Sequence, residues 1–155
     1  MKTYAILLTI TALIMTAQPA LAMSHHGGKA HASKTGMDMG AMGYKHETVV
    51  DGVHSEFQIM SLASMNMKDD QGRTHHVMVK LIDAQSKTEI KDAVGKIKII
   101  EPGGGEQEGT LKNYSGILAA NFNFKTAGKY GVICLYKAKD GRKRVVKFWY
   151  HHKQG

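Results

Sequence analysis

Beyond about residue 46, apolar and polar residues alternate with period two along most of the chain. That spacing predicts strands, because successive side chains of a strand point to opposite faces. Runs of this kind cover Ser55–Met67, Thr74–Asp83, Val94–Glu101, Gly109–Asn113, Ile117–Lys125, Lys129–Lys137 and Arg144–His151. The breaks between them carry turn chemistry: Asp69-Asp70-Gln71-Gly72, Pro102-Gly103-Gly104-Gly105, Tyr114-Ser115-Gly116, Ala127-Gly128 and Asp140-Gly141. Lys139-Asp140-Gly141-Arg142 reads as a two-residue hairpin. Seven short strands at regular turn spacing predict an all-β fold, a seven-stranded antiparallel immunoglobulin-like sandwich. The inward sets are Val77, Val79 and Leu81; Ile97 and Ile99; Leu118, Ala120, Phe122 and Phe124; and Val132, Cys134 and Tyr136. Lys98, Asn121, Asn123 and Lys137 take the opposite faces, as in half-solvated sheets. Trp149 is expected in the core or at an interface, and no helical periodicity of any length is present.

The N-terminal part lacks this alternation. Lys2 provides a positive start, Ala5–Ala17 an apolar stretch, and Ala20-Leu21-Ala22 the small residues of a cleavage site. Residues 1–22 therefore read as a signal peptide. A membrane span needs about 18–20 apolar residues, more than this stretch holds, so no stable membrane insertion is expected. Residues 23–45 contain Gly, Ala, Ser, His and Met with almost no large branched side chain. Such a segment cannot bury enough surface to offset its ordering entropy and reads as a disordered His/Met-rich tail. The domain is assigned to residues 46–155, and the location to the periplasm.

Charge and cysteine usage add little. The chain has 21 Lys+Arg against 13 Asp+Glu, and the formal charge of +8 falls to +7 once Lys2 leaves. The lysines are spread along strand faces without aromatic interleaving, so no nucleic-acid partner is expected. The single Cys134 can form no intramolecular disulfide and alternates with core residues, as a buried structural thiol does.

Histidine and methionine carry the candidate chemistry. His25, His26 and His31 lie in the tail with Met37, Met39 and Met42, a Met-x-Met-x-x-Met cluster that has no core to fill. Thioether sulfur suits Cu(I), and imidazole suits Cu(II), so both together point to a copper ion. Cleavage after Ala22 leaves Met23-Ser24-His25, whose amine, two amides and imidazole can chelate Cu(II) in a square plane. A second group arises if the first hairpin turns over Asp69–Gly72. Met65 then faces His76, Met67 faces Thr74, and Met65, Met67, His76 and Met78 share one face. His151 and His152 are adjacent on a strand and point apart. No His or Met follows Cys134 at blue-copper spacing. No nucleophile elbow, phosphate loop or His-Glu-x-x-His pattern occurs, so the chain reads as a non-enzyme.

Thr74-His75-His76-Val77-Met78-Val79-Lys80-Leu81-Ile82-Asp83, with Ile97–Pro102, Phe122–Tyr130 and Lys147-Phe148-Trp149-Tyr150, resembles the YtkA-like and FixH-like group of exported domains over residues 53–150. The resemblance implies an immunoglobulin-like β-sandwich associated with copper handling and oxidase assembly. The tail resembles the Met/His-rich extensions of periplasmic copper-resistance proteins. The expectation is a periplasmic metal-binding protein for copper buffering, delivery or resistance, with an envelope partner in metal efflux or oxidase assembly. The alternative is a non-metal adhesion or assembly module docking an envelope or respiratory-oxidase complex.

Overall fold

The computed structural model describes residues 34–35 and 43–153. The segment read as a signal, and Met23, His25, His26, His31, Met37, Met39 and Met42, lie outside the described residues. The strands are β1 (Lys34–Thr35), β2 (Tyr44–Val50), β3 (Val53–Ser61), β4 (His75–Asp83), β5 (Val94–Ile100), β6 (Glu106–Tyr114), β7 (Ile117–Phe122), β8 (Gly128–Lys137) and β9 (Lys143–His152). All pairings are antiparallel, in the hydrogen-bonded order β1-β2-β3-β4-β7-β6-β5-β8-β9. The fold is all-β, as the alternation requires. It has eight long strands and the two-residue β1 rather than seven, and they join in one sheet.

The sheet doubles back at β6. Residues 106–111 of that strand pair with β5, whereas residues 112–114 pair with β7. Gly109 lies just before the handover, and a Cβ there would come within 2.9 Å of the Phe122 ring, so a larger residue would push the two layers apart. The ends of the order then meet. Tyr44 Oη on β2 donates to the Trp149 carbonyl on β9 at 3.1 Å, and the His46 ring stacks on Phe148 with centroids 4.2 Å apart. The result is a nearly closed, sandwich-like body. Its first layer is β2, β3, β4 and β7; its second is β5, β8, β9 and the start of β6.

Between the layers lies one core. Val77, Val79, Leu81, Ile97, Ile99, Leu118, Phe122, Phe124, Val132, Cys134 and Tyr136 are all buried there, and Ala120 packs at its margin. Ser55 and Tyr136 share a buried hydrogen bond of 2.9 Å across the layers. Burial pushes the Cys134 thiol up to about 12, so it stays protonated and inert at neutral pH. Arg144, 2% exposed, grips Asp140 at 2.6 and 3.1 Å and reaches the Asp51 carbonyl, which ties the β8–β9 turn to the β2–β3 turn.

Three expectations need correction. First, Tyr44–Val50 is a strand whose inward residues are Tyr44, His46 and Thr48, so it carries no apolar alternation to read. Tyr44 is accordingly the first buried core residue among the described residues. Second, β3 ends at Ser61 instead of continuing to Met67, and residues 62–74 form a loop containing the 3-10 turn Ala63–Met65. The β3–β4 register pairs Ile59 with Val77 and Met60 with His76. The register expected from a hairpin at Asp69–Gly72 would have placed Phe57 and Ile59 on the face opposite Val77 and Val79. The observed register puts all four in the core, and that burial outweighs the local turn signal. Third, of the two places expected for Trp149, the core is excluded: it is 53% exposed, with Lys129 Nζ 4.4 Å above its ring.

Candidate functional site

The outward positions of the first layer follow from the register. Met60 on β3 is the direct partner of His76 on β4, which in turn is the partner of Asn121 on β7. Met78 is two residues beyond His76 and therefore on the same face, between Gln58 and Ala119. The loop brings Met67, half exposed, to a depression of about 350 Å³ that it shares with His76, Asn121 and Arg73. Met65 lies in the 3-10 turn and does not face His76. Of the expected hairpin group, His76 and Met78 share the outer face and Met67 borders the depression beside His76, whereas Met65 leaves and Met60 is the residue paired with His76.

His76 is held by a polar relay. Its Nδ1 lies 2.6 Å from Asn121 Oδ1, and Asn121 Nδ2 lies 2.8 Å from Asp69 Oδ2. An ionised carboxylate only accepts, so the amide nitrogen of Asn121 must face Asp69 and its oxygen must face His76. His76 Nδ1–H therefore donates, and the lone pair of the neutral ring sits on Nε2. This is the arrangement in which an outer partner fixes the tautomer of a ligating histidine. Asp69 is itself pinned by Arg73, whose Nε and Nη2 approach it at 2.9 and 2.8 Å. The Gln71 and Arg73 backbone amides add to that hold. Hydrogen bonds from Arg73 first, then Asn121, keep the Asp69 carboxyl well below the usual carboxylate range.

Why the local sequence builds this is clear from the loop. Leu62 is buried and its amide donates to the Thr74 carbonyl, closing the ladder above Ser61–His75. Asp69 then heads a turn ending at Gly72, whose φ of +69° is the left-handed conformation glycine tolerates. Gly43 matters on the other side of the site. With φ of +73°, it sits where a Cβ would be 2.5 Å from the Ile59 oxygen and 2.8 Å from Met60 Cγ.

The remaining histidines have other surroundings. His46 is a core residue stacked on Phe148, and desolvation holds its pKa below the ordinary value. His54 shares the outer face with Glu47 and Glu56, 3.6 and 3.9 Å away. His75 is buried, its ring 5.1 Å from that of His152, and burial together with that second imidazole lowers its pKa to about 4. His151 is exposed on the opposite face from His152. A cavity of about 570 Å³ lies beside Asp51, Asp83, Arg142 and Arg144. Two of its charged groups are occupied structurally, Arg144 by Asp140 and Asp83 by the Gln85 and Ser86 amides.

Sequence reasoning did not find Asn121, Asp69 and Arg73 as members of the site, because Asn121 lies 45 residues from His76 and meets it only through the β4–β7 pairing. Among the described residues, no three His, Cys, Asp or Glu side chains converge as a metal-binding group. The His76 face instead combines one oriented imidazole with thioethers, a donor set suited to a soft monovalent ion. The chain matches no protein-family model, no curated protein and no solved structure.

Proposed function

We propose that this is an exported copper-binding protein that buffers the ion or passes it on, with the outer face around His76 as its ordered Cu(I) station. The observation that carries this reading is the Arg73–Asp69–Asn121–His76 relay, which leaves Nε2 as the ligating atom beside Met60 and Met78. Thioethers do not deprotonate, so Met60, Met67 and Met78 favour Cu(I) over the harder divalent ions. Met37, Met39 and Met42 precede Gly43 in the chain, and a Cβ at Gly43 would lie 2.8 Å from Met60 Cγ, so the described chain begins beside this face. The tail captures the ion, through its thioethers as Cu(I) and through Met23 and His25 as Cu(II), and the strand face holds it in a defined geometry.

Titration with Cu(I) against a chromogenic chelator, and with Cu(II), tests this on the processed chain and on a chain lacking residues 23–42. Removing the tail should abolish Cu(II) uptake and lower Cu(I) capacity, while leaving Cu(I) binding that Met60→Leu with Met78→Leu eliminates. Negligible uptake of either ion by both chains would overturn the reading. A partner captured by both chains regardless of chelator would favour the alternative of a metal-independent docking module.

A further inference from the structure

The outer face of the second layer carries a different pattern. Its cross-strand rows are Trp149–Gly131–Ile100, Lys147–Ile133–Lys98 and Val145–Leu135–Lys96, closed by Lys143–Lys137–Val94. Val94, Val145 and Trp149 are 63%, 45% and 53% exposed, and Lys129 lies over the Trp149 ring. Apolar residues and lysines therefore interleave across the whole sheet. Lys96 and Lys98 are paired with Glu106 and Glu108 at the β6 edge. Among the described residues, no acidic partner neutralises Lys129, Lys137, Lys143 or Lys147.

We propose that this face docks reversibly on an anionic phospholipid surface. Three features on the face select that occupant. Its free charge is entirely positive, which complements a negative headgroup layer. Every cation on it is lysine, a point charge on a flexible stem that spreads over apolar neighbours, whereas Arg73, Arg142 and Arg144 are elsewhere and bound to Asp69 and Asp140. Protein–protein interfaces are depleted in lysine and enriched in arginine, so an acidic protein fits this composition less well. Finally, the tryptophan stands exposed under a lysine, as amphipathic rings do at the headgroup level. Docking needs no insertion: Trp149, Val145 and Val94 reach the interface while the sandwich stays outside it.

Co-sedimentation of the processed chain with vesicles tests this, using phosphatidylglycerol mixed with phosphatidylcholine against phosphatidylcholine alone. Binding should require the anionic lipid, weaken steeply as salt is raised, and fall about fivefold for each of Lys129→Gln, Lys137→Gln, Lys143→Gln and Lys147→Gln. Trp149→Ala should weaken it further, and Trp149 fluorescence should shift to the blue on binding. Lys45→Gln and Lys80→Gln, on the opposite face, should bind as the parent does; circular dichroism confirms that each variant folds. Equal binding to both vesicle types, equal loss from variants on both faces, or no binding would overturn the proposal. So would a dimer in solution that Trp149→Ala disperses, since the face would then be covered by a second copy.

Discussion

Around His76 the outward positions of the first layer hold Met60, Met78 and Asn121, and its nearby charges cancel, Lys45 and Lys80 against Glu47 and Glu56. On the second layer the equivalent positions hold six lysines among Ile100, Ile133, Leu135, Val145 and Trp149. Both faces are the half of a period-two alternation that the core does not use. The core fixes where these side chains stand but leaves their identity free, so chemistry can differ completely between two sides of one body. What distinguishes the first face is the relay beneath it. His76 is oriented through hydrogen bonds, whereas the unpaired lysines of the second face have no fixed partner and suit a diffuse one.

The comparison breaks most sharply if the thioethers are removed. Met60→Leu with Met78→Leu should weaken Cu(I) binding by more than the about 100-fold that loss of an outer-shell partner reaches. It should change stability by under about 1.5 kcal/mol, because Leu and Met have similar volumes. Competition titration and urea unfolding measure the two, and lysine variants of the second face should leave the copper affinity unchanged.

The core that both faces share is sensitive to acid. His75, and in the same sense His46, refuse a proton that the unfolded chain accepts. Unfolding thus takes up protons as pH falls from about 6.5 to about 4, and stability declines across that window. His75 alone accounts for up to about 3 kcal/mol of that decline. Above pH 7 its contribution is constant. Urea midpoints measured from pH 7.5 to 4 should show the decline, and His75→Phe should flatten it; an unchanged profile would show that His75 does not cause it.

Asn121→Leu removes the acceptor for His76 Nδ1–H and should cost about 10–100-fold in Cu(I) affinity. If Asn121→Leu binds as the parent does, the relay does not orient a ligand. Smallest of all should be Lys80→Gln, a surface change worth under about 0.5 kcal/mol of stability and nothing in copper or vesicle binding.

Much of the fold was legible because the inward sets of β4, β5 and β8 alternate, from Val77, Val79 and Leu81 to Val132, Cys134 and Tyr136. β2 escaped because it turns His46 and the half-buried Thr48 inward with Tyr44 while exposing Val49. The first hairpin was misregistered because a good local turn at Asp69–Gly72 closes a 13-residue loop instead of the strands themselves. A parity test recovers which face is inward: only an even sum of partner numbers puts Phe57, Ile59, Val77 and Val79 on one side. The relay could not be read in advance, since it joins a loop carboxylate, a β7 amide and a β4 imidazole that only the tertiary fold assembles.

The most direct test of the His76 site is nuclear magnetic resonance of the processed chain, with labelled imidazole nitrogens and methionine methyls, during titration with Ag(I), a diamagnetic soft ion that stands in for Cu(I). The His76 Nε2 signal and the Met60 and Met78 methyls should move and saturate together, with Nδ1 remaining protonated toward Asn121 throughout. Shifts confined to residues 23–42, with His76, Met60 and Met78 unmoved, would contradict the account.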